Sequence, residues 1–368
     1  MAALFRATHG KLGLVQPVLG PPATKGHVSV ARLTRYWYVA CQSHELGSRP
    51  VARVLLGTPF VLFRDAGGKA AALLDRCPHR NVPLSLGRVN GRGHLECPYH
   101  GWQFDTEGKC RAIPGLGDAA AARERSCPRA AVCEQDGLVW VFPALDEAPA
   151  SEPPDLGFAK LTDHTWVRQE VRAQATLHAT LENALDVPHT AFLHRGLFRG
   201  GERHAVTVRV RRSTDRVEAE YVGEPRPSGV VGRLLSPTGG VVEHWDRFLL
   251  PSIAQVEYRL GPESHFLITA FCTPESDFST RLIAVAGFKT PLPGRILAPL
   301  LKPVALLIFN QDARILRAQS KNVQSFGGER FESTELDFLG PHIWRLLKQA
   351  ERGELGEASA EREVTFFA

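Results

Sequence analysis

Two short segments of this 368-residue chain, Cys77-Pro-His79 and Cys97-Pro-Tyr-His100, each carry one thiol and one imidazole. Two sulfurs and two nitrogens suit a [2Fe–2S] centre in which one iron keeps cysteine ligands and the other takes histidines. A Cys₂His₂ zinc site draws on the same residue types. The one-residue gap in the first pair, two in the second, and the absence of zinc-finger spacing favour the cluster. Gly101 leaves room where a side chain would crowd such a loop, and Trp102 is placed to shield it and lower the local dielectric.

A second set of donors lies downstream, in the run from Leu181 to His194. Asn183, Asp186 and His189 recur at three-residue steps, as on one helical face, and His194 follows the break that Pro188 imposes. Two histidines and one carboxylate make the facial triad of non-haem Fe(II) oxygenases, with positions left for O₂ and substrate. On local spacing Asp186 is the available carboxylate, and zinc is the alternative ion. A one-electron carrier elsewhere in the chain favours iron, because zinc has no redox use for electrons.

These residues need a frame. Val51–Leu56, Pro59–Arg64, Ala70–Asp75 and Gly137–Phe142 are short apolar runs parted by Gly-containing turns, the pattern of an antiparallel meander. The Pro- and acid-rich stretch 145–157 marks a boundary. Three parts are expected: an arm over 1–29, a β domain over 30–148 and a second domain over 149–368. In the second domain, strands are expected at Val167–Ala175, Val206–Tyr221, Val242–Leu249, Ile253–Arg259, Ser264–Cys272 and Arg281–Gly287. Helices are expected at Leu177–Ala191, interrupted by Pro188, at Leu307–Ser320 and at Gly340–Glu351. The class is α+β, an antiparallel sheet carrying helices on one face.

Composition narrows the function. Hydrophobic residues make up 43% and charged residues 23%, as in an ordinary soluble domain. The net charge of +5 comes without a basic stripe interleaved with aromatics, which speaks against a nucleic-acid binder. Seven cysteines in so long a chain do not make a disulfide scaffold; Cys41, Cys110, Cys127, Cys133 and Cys272 read as buried thiols. The most membrane-like stretch, Ile296–Phe309, is about half a bilayer span and holds Pro299, Lys302 and Pro303. It reads as buried or lining a channel. The start of the chain lacks the pattern of a secretory signal, so a cytoplasmic protein without membrane contact is expected.

Together these motifs resemble the terminal oxygenase component of the Rieske non-haem iron oxygenases, over nearly the whole chain. Cys77, His79, Cys97 and His100 match the family's cluster motif, and Asn183, Asp186, His189 and His194 its Asn/Asp/His/His motif. The resemblance implies an all-β cluster domain followed by a helix-grip-like catalytic domain. It implies that the carboxylate ligand comes from a later helix, at Asp312, with Asp186 bridging an iron-ligating histidine to a cluster histidine of a neighbouring subunit in a head-to-tail homotrimer. It further implies a mononuclear Fe(II), O₂ as co-substrate, and electrons from NAD(P)H through a separate flavin reductase or ferredoxin. No Gly-rich dinucleotide fingerprint is present, in keeping with a separate reductase. Arg80 and Arg111 are candidates for receiving an acidic donor.

The Tyr-Trp-Tyr-Val-Ala and Cys-Pro-His-Arg-Asn segments resemble the single-component branch acting on aromatic, heteroaromatic and polycyclic substrates. Monooxygenation is the leading expectation, with dihydroxylation, N-oxygenation and demethylation on the same site as alternatives. An electron-transfer protein without oxygenase activity is the alternative of another class. Expected pocket walls are Leu177, Leu181, Phe192, Leu197, Phe248, Phe271, Phe288 and Phe309, with His178, His244 and His265 as candidates for orienting substrate.

Overall fold

The computed structural model describes residues 28–116, 125–194, 204–225, 241–356, 358 and 361–367. The expected N-terminal arm lies almost wholly outside these residues, as does Leu197.

The apolar runs of the first half form strands β1 (Tyr38–Gln42), β2 (Val51–Leu55), β3 (Thr58–Arg64), β4 (Ala70–Leu74), β9 (Arg129–Gln135) and β10 (Leu138–Phe142). They pair in the order β1-β10-β9-β4-β3-β2, all antiparallel. Two-residue turns set the register: Leu56-Gly57 joins β2 to β3 and Asp136-Gly137 joins β9 to β10, with positive φ at all four residues. That conformation matches the twist of paired strands, and Asp-Gly adopts it readily. A small sheet of β5 (Arg88–Val89), β6 (Leu95–Glu96), β7 (Gln103–Phe104) and β8 (Cys110–Ala112) stands beside it.

The second half is an eight-stranded antiparallel sheet in the order β11-β17-β16-β15-β14-β13-β12-β18. Its strands are β11 (Thr165–Ala173), β12 (Ala205–Arg212), β13 (Arg216–Val222), β14 (Val242–Leu249), β15 (Ile253–Leu260), β16 (Ser264–Ser276), β17 (Ser279–Lys289) and β18 (Arg362–Phe367). The helices are α1 (Leu177–Leu185), α2 (Thr190–Leu193), α3 (Gly294–Ser325) and α4 (Gly340–Glu351). The α+β class holds: a β-sheet unit leads, and an antiparallel sheet covered by helices follows.

Three local expectations are corrected. The run expected as one strand, Val206–Tyr221, is the β12–β13 hairpin, reversed at Ser213-Thr-Asp215, where the Ser213 N–H donates to the Arg216 carbonyl. The signal for the turn is in the sequence: the all-polar stretch Arg211–Arg216 parts two apolar alternations, and the buried positions shift from even (Val206, Val208, Val210) to odd (Val217, Ala219, Tyr221) across it. Helix α3 starts at Gly294, well before Leu307, and contains Pro299 and Pro303. A proline interrupts the bond to the residue four back, but the rest of a 32-residue helix carries it through. Finally, the stretch Ile296–Phe309, expected to be buried or to line a channel, is divided: Leu297 is buried, whereas Ile296, Val304 and Leu307 are exposed. No helix among the described residues is long and apolar enough to cross a membrane.

Strand alternation gives the large sheet two faces. One face, with Val208, Val210, Tyr221, Phe248, Ala254 and Ala270, packs on Leu177, Leu181 and Leu185 of α1 and Ile343, Leu346 and Leu347 of α4. The opposite face, with Ile253, Leu267, Phe271, Ile283 and Val285, packs on Trp37, Val39, Leu138 and Trp140 of the first unit. Trp140 meets Phe271 edge to face at 5.3 Å. The Thr273 hydroxyl donates to the Val39 carbonyl at 2.7 Å, and the Leu56 N–H to the Pro274 carbonyl at 2.7 Å. A buried aromatic such as Trp140 contributes about 3–5 kcal/mol, so this seam joins the two units firmly. Stretch 145–157 is tied to it, with Trp37 Nε1 donating to the Ser151 carbonyl and Gln135 Nε2 to that of Pro154.

Candidate metal centres

The two Cys/His segments fold into equivalent loops. In the first, the Cys77 N–H donates to the Val82 carbonyl and the Asn81 N–H returns to the Cys77 carbonyl. In the second, the Cys97 N–H donates to the Trp102 carbonyl and the Gly101 N–H returns to the Cys97 carbonyl. Asn81 and Gly101 occupy the same left-handed position, with φ of 61° and 69°. Gly101 is also sterically required, since an added Cβ would lie 2.8 Å from the Pro114 ring.

The loops face one another. Both thiols are buried, and burial, with Cys97 close by, pushes the Cys77 thiol up to about 11. The His79 and His100 rings are 4.5 Å apart, and His79 stacks on Trp102 at 4.9 Å. His79 Nδ1 is buried without a hydrogen-bond partner among the described residues. Two buried thiols and an orphaned imidazole nitrogen fit a cationic centre. Two neighbouring thiols and two neighbouring imidazoles on facing loops suit a two-iron cluster with cysteines on one iron and histidines on the other.

The second set is assembled from three elements. Thr176 caps α1, its hydroxyl accepting from the Ala179 N–H. The helix stops at Leu185, where Asp186 leaves helical backbone with φ of −92° and ψ of 97°, two residues before Pro188. The short α2 then places His189 just before its start and His194 just after its end. Asp186 and His189 therefore do not continue one unbroken helical face, as their spacing suggests. Helix α3 supplies Asp312.

Three donor atoms converge here. His189 Nε2 lies 3.3 Å from His194 Nε2, and Asp312 Oδ1 lies 3.5 Å from the first and 3.2 Å from the second. Three adjacent ligands of an octahedral ion at about 2.1 Å would be about 3 Å apart, so the arrangement fits one. His194 is only 2% exposed. Burial alone would lower the His189 imidazole, but Asp186 and Asp312 offset this and hold it up to about 9, so the pocket favours positive charge. Asp186 stands on the other side of that ring, its Oδ2 3.4 Å from His189 Nδ1. Asn183 Nδ2 donates to Asp312 Oδ1 at 3.4 Å.

Two models of known families match the sequence: the Rieske [2Fe-2S] domain over residues 36–123, and the vanillate O-demethylase oxygenase C-terminal domain over residues 173–352. The chain belongs to the Rieske-type non-haem iron oxygenases, as a terminal oxygenase component. It is 39% identical over 163 residues to the oxygenase component of dicamba O-demethylase from Stenotrophomonas maltophilia, covering 43% of this chain and 47% of that protein. It is 26% identical over 349 residues to the oxygenase subunit of vanillate O-demethylase from Pseudomonas sp. (strain HR199 / DSM 7063), covering 88% and 96%. A crystal structure of dicamba monooxygenase bound to dicamba superposes with a TM-score of 0.73 at 26% identity, covering 88% of this chain and 98% of that one. The matched stretch spans less than half the length of several curated relatives.

Several expected residues of this oxygenase lie elsewhere. Phe271 is in the seam between the units, packed on Trp140 and Phe158. His265 shares its strand face with Phe271, away from α1, and binds His164 at 2.8 Å and Glu257 at 3.1 Å. Phe192 is 70% exposed. His178 contacts the Gly340 carbonyl through Nε2, while Leu177, Leu181 and Phe248 are core. Cys133 is half-buried rather than buried, and Arg111 is paired with Asp105 at 2.5 Å. Phe288 and the half-buried Phe309 keep positions on the helix side of the sheet, Phe288 beside Phe266. Two residues escaped sequence reading: Ile268, on the helix-side face yet 36% exposed, and Gln311, whose Oε1 lies 2.7 Å from His194 Nδ1. For Gln311 the available signal was its place directly before Asp312.

Proposed function

We propose that this chain mono-oxygenates an aromatic or otherwise apolar small molecule with O₂, using electrons that a separate reductase draws from NAD(P)H. The observation that carries this reading is the convergence of His189 Nε2, His194 Nε2 and Asp312 Oδ1 on one point. These three would hold a mononuclear Fe(II), and Cys77, His79, Cys97 and His100 the [2Fe–2S] cluster. When bound, the iron activates O₂ and the cluster delivers electrons singly.

The chain's own residues orient and insulate. Asp186, whose Oδ2 lies 3.4 Å from His189 Nδ1, is the acceptor that would favour the tautomer leaving Nε2 toward the ion. Asn183 steadies Asp312. Phe266 and Phe288, stacked at 6.3 Å, and Ile268 on the same strand face supply apolar side chains on the helix side of the sheet, suited to an aromatic ring. The exposed His100, with the exposed Tyr99 ring 3.8 Å from it, offers a docking face for a neighbouring subunit in a head-to-tail trimer.

Within this class we infer oxidative demethylation of a methoxy-arene, since two relatives are O-demethylases of dicamba and of vanillate. One oxygen atom enters a methyl C–H bond, and the other leaves as water with two electrons and two protons. The hemiacetal then breaks its C–O bond to give formaldehyde and a phenol. The test is anaerobic metal analysis, followed by turnover of methoxybenzoates with O₂, NADH and a surrogate reductase. About three irons and two sulfides per chain, with formaldehyde released as O₂ is consumed, are expected. Zinc at the second site with turnover independent of O₂ would overturn the oxygenase reading. Oxygenated products without formaldehyde would overturn only the demethylation.

A further inference from the structure

The two histidines of the triad are backed by different groups. Behind His189 stands a carboxylate, with Asp186 Oδ2 3.4 Å from Nδ1. Behind His194 stands an amide, with Gln311 Oε1 2.7 Å from Nδ1. Because His194 Nε2 faces both His189 Nε2 and Asp312 Oδ1, it must present a lone pair to hold a cation. Its proton then sits on Nδ1 and donates to Gln311. Gln311 and Asp312 are neighbours on α3, about 100° apart around the helix, and they grip the same imidazole at its two nitrogens.

A carboxylate behind a ligating imidazole orients it and raises its basicity, whereas an amide orients it without adding charge. Ionised Asp186 and Asp312 together balance a divalent ion; a third carboxylate would leave the pocket negative and favour the trivalent state. We propose that Gln311 is a positioning residue that locks the tautomer of His194 and, by being neutral, keeps the site poised toward Fe(II). The inference rests on the mononuclear iron reading above.

The experiment uses full-length protein with its cluster intact, stripped of mononuclear iron and titrated with Fe(II), alongside Gln311→Leu and Gln311→Glu. Gln311→Leu should lose about 10–100-fold in Fe(II) affinity. Gln311→Glu keeps the hydrogen bond, so affinity should return to within a few-fold of wild type. The Fe(III):Fe(II) ratio at a fixed potential, followed by the high-spin ferric EPR signal, should then rise about tenfold, ~59 mV for a one-electron couple. An unchanged cluster spectrum reports that each variant is folded. Wild-type affinity in folded Gln311→Leu, or an unchanged ratio in Gln311→Glu, would overturn the proposal. If Gln311→Leu does not fold, the ratio in Gln311→Glu decides alone. Failure of the wild type to take up Fe(II) would instead overturn the iron reading, and this inference with it.

Discussion

Asp186 and Asp312 are both carboxylates near His189, yet they meet opposite nitrogens of its ring. Asp312 shares the side on which the two Nε2 atoms converge, and Asp186 backs the ring from behind. Their substitutions should therefore separate. Asp312→Ala should reduce iron from about three to about two per chain with sulfide unchanged, and lower turnover at least 100-fold. Asp186→Asn should retain the third iron. Iron and acid-labile sulfide analysis distinguishes them, and a third iron kept by Asp312→Ala would sink the ligand assignment. Local spacing pointed first to Asp186, since Asp312 is 129 residues from Asn183 and no periodicity links them.

At the scale of elements, the large sheet carries a buried charge its strands alone do not explain. His244 on β14 has Glu224 at 2.6 Å on Nδ1 and Asp246 at 3.0 Å on Nε2, and lies between the rings of Tyr221 and Tyr258. Its expected role in orienting substrate gives way to this closed arrangement, because both ring nitrogens are already engaged. Burial would lower the imidazole, but Asp246 and then Glu224 offset it and raise it to about 9. The folded value exceeds the unfolded one, so the stabilisation is full below pH about 6.5 and fades as pH rises through about 9. In urea unfolding, the stability gap between wild type and His244→Gln should shrink by about 3 kcal/mol from pH 6 to pH 10. A gap that stays constant over that range would show that His244 is not charged in the fold.

At the scale of the whole molecule, the cluster loops lie in the first unit and the triad in the second, joined by the seam around Trp140 and Phe271. In the proposed head-to-tail ring, the cluster of one subunit serves the iron of the next. Co-assembly tests this directly. His100→Ala, deficient in the cluster, and Asp312→Ala, deficient in the mononuclear iron, should each be inactive alone. Mixed rings should regain about a third of wild-type activity, because one of the three head-to-tail contacts in each then pairs a working cluster with a working iron site. No recovery in verified mixed assemblies would place electron transfer within one chain.

The residue pattern alone determined what short-range backbone geometry encodes. The two Cys/His loops were legible because Pro, a thiol, an imidazole and a left-handed residue six positions or fewer apart make one turn wherever they occur. The histidine pair around Pro188 and the helix Gly340–Glu351 were legible for the same local reason. The contacts of Asp312 with both histidines, the amide of Gln311 behind His194, and the removal of Phe271 and His265 to the far face of the sheet were decided only by tertiary structure. Each depends on how strand order sets a face and on where a 32-residue helix crosses it, and those relations join residues too distant in the chain for spacing to record.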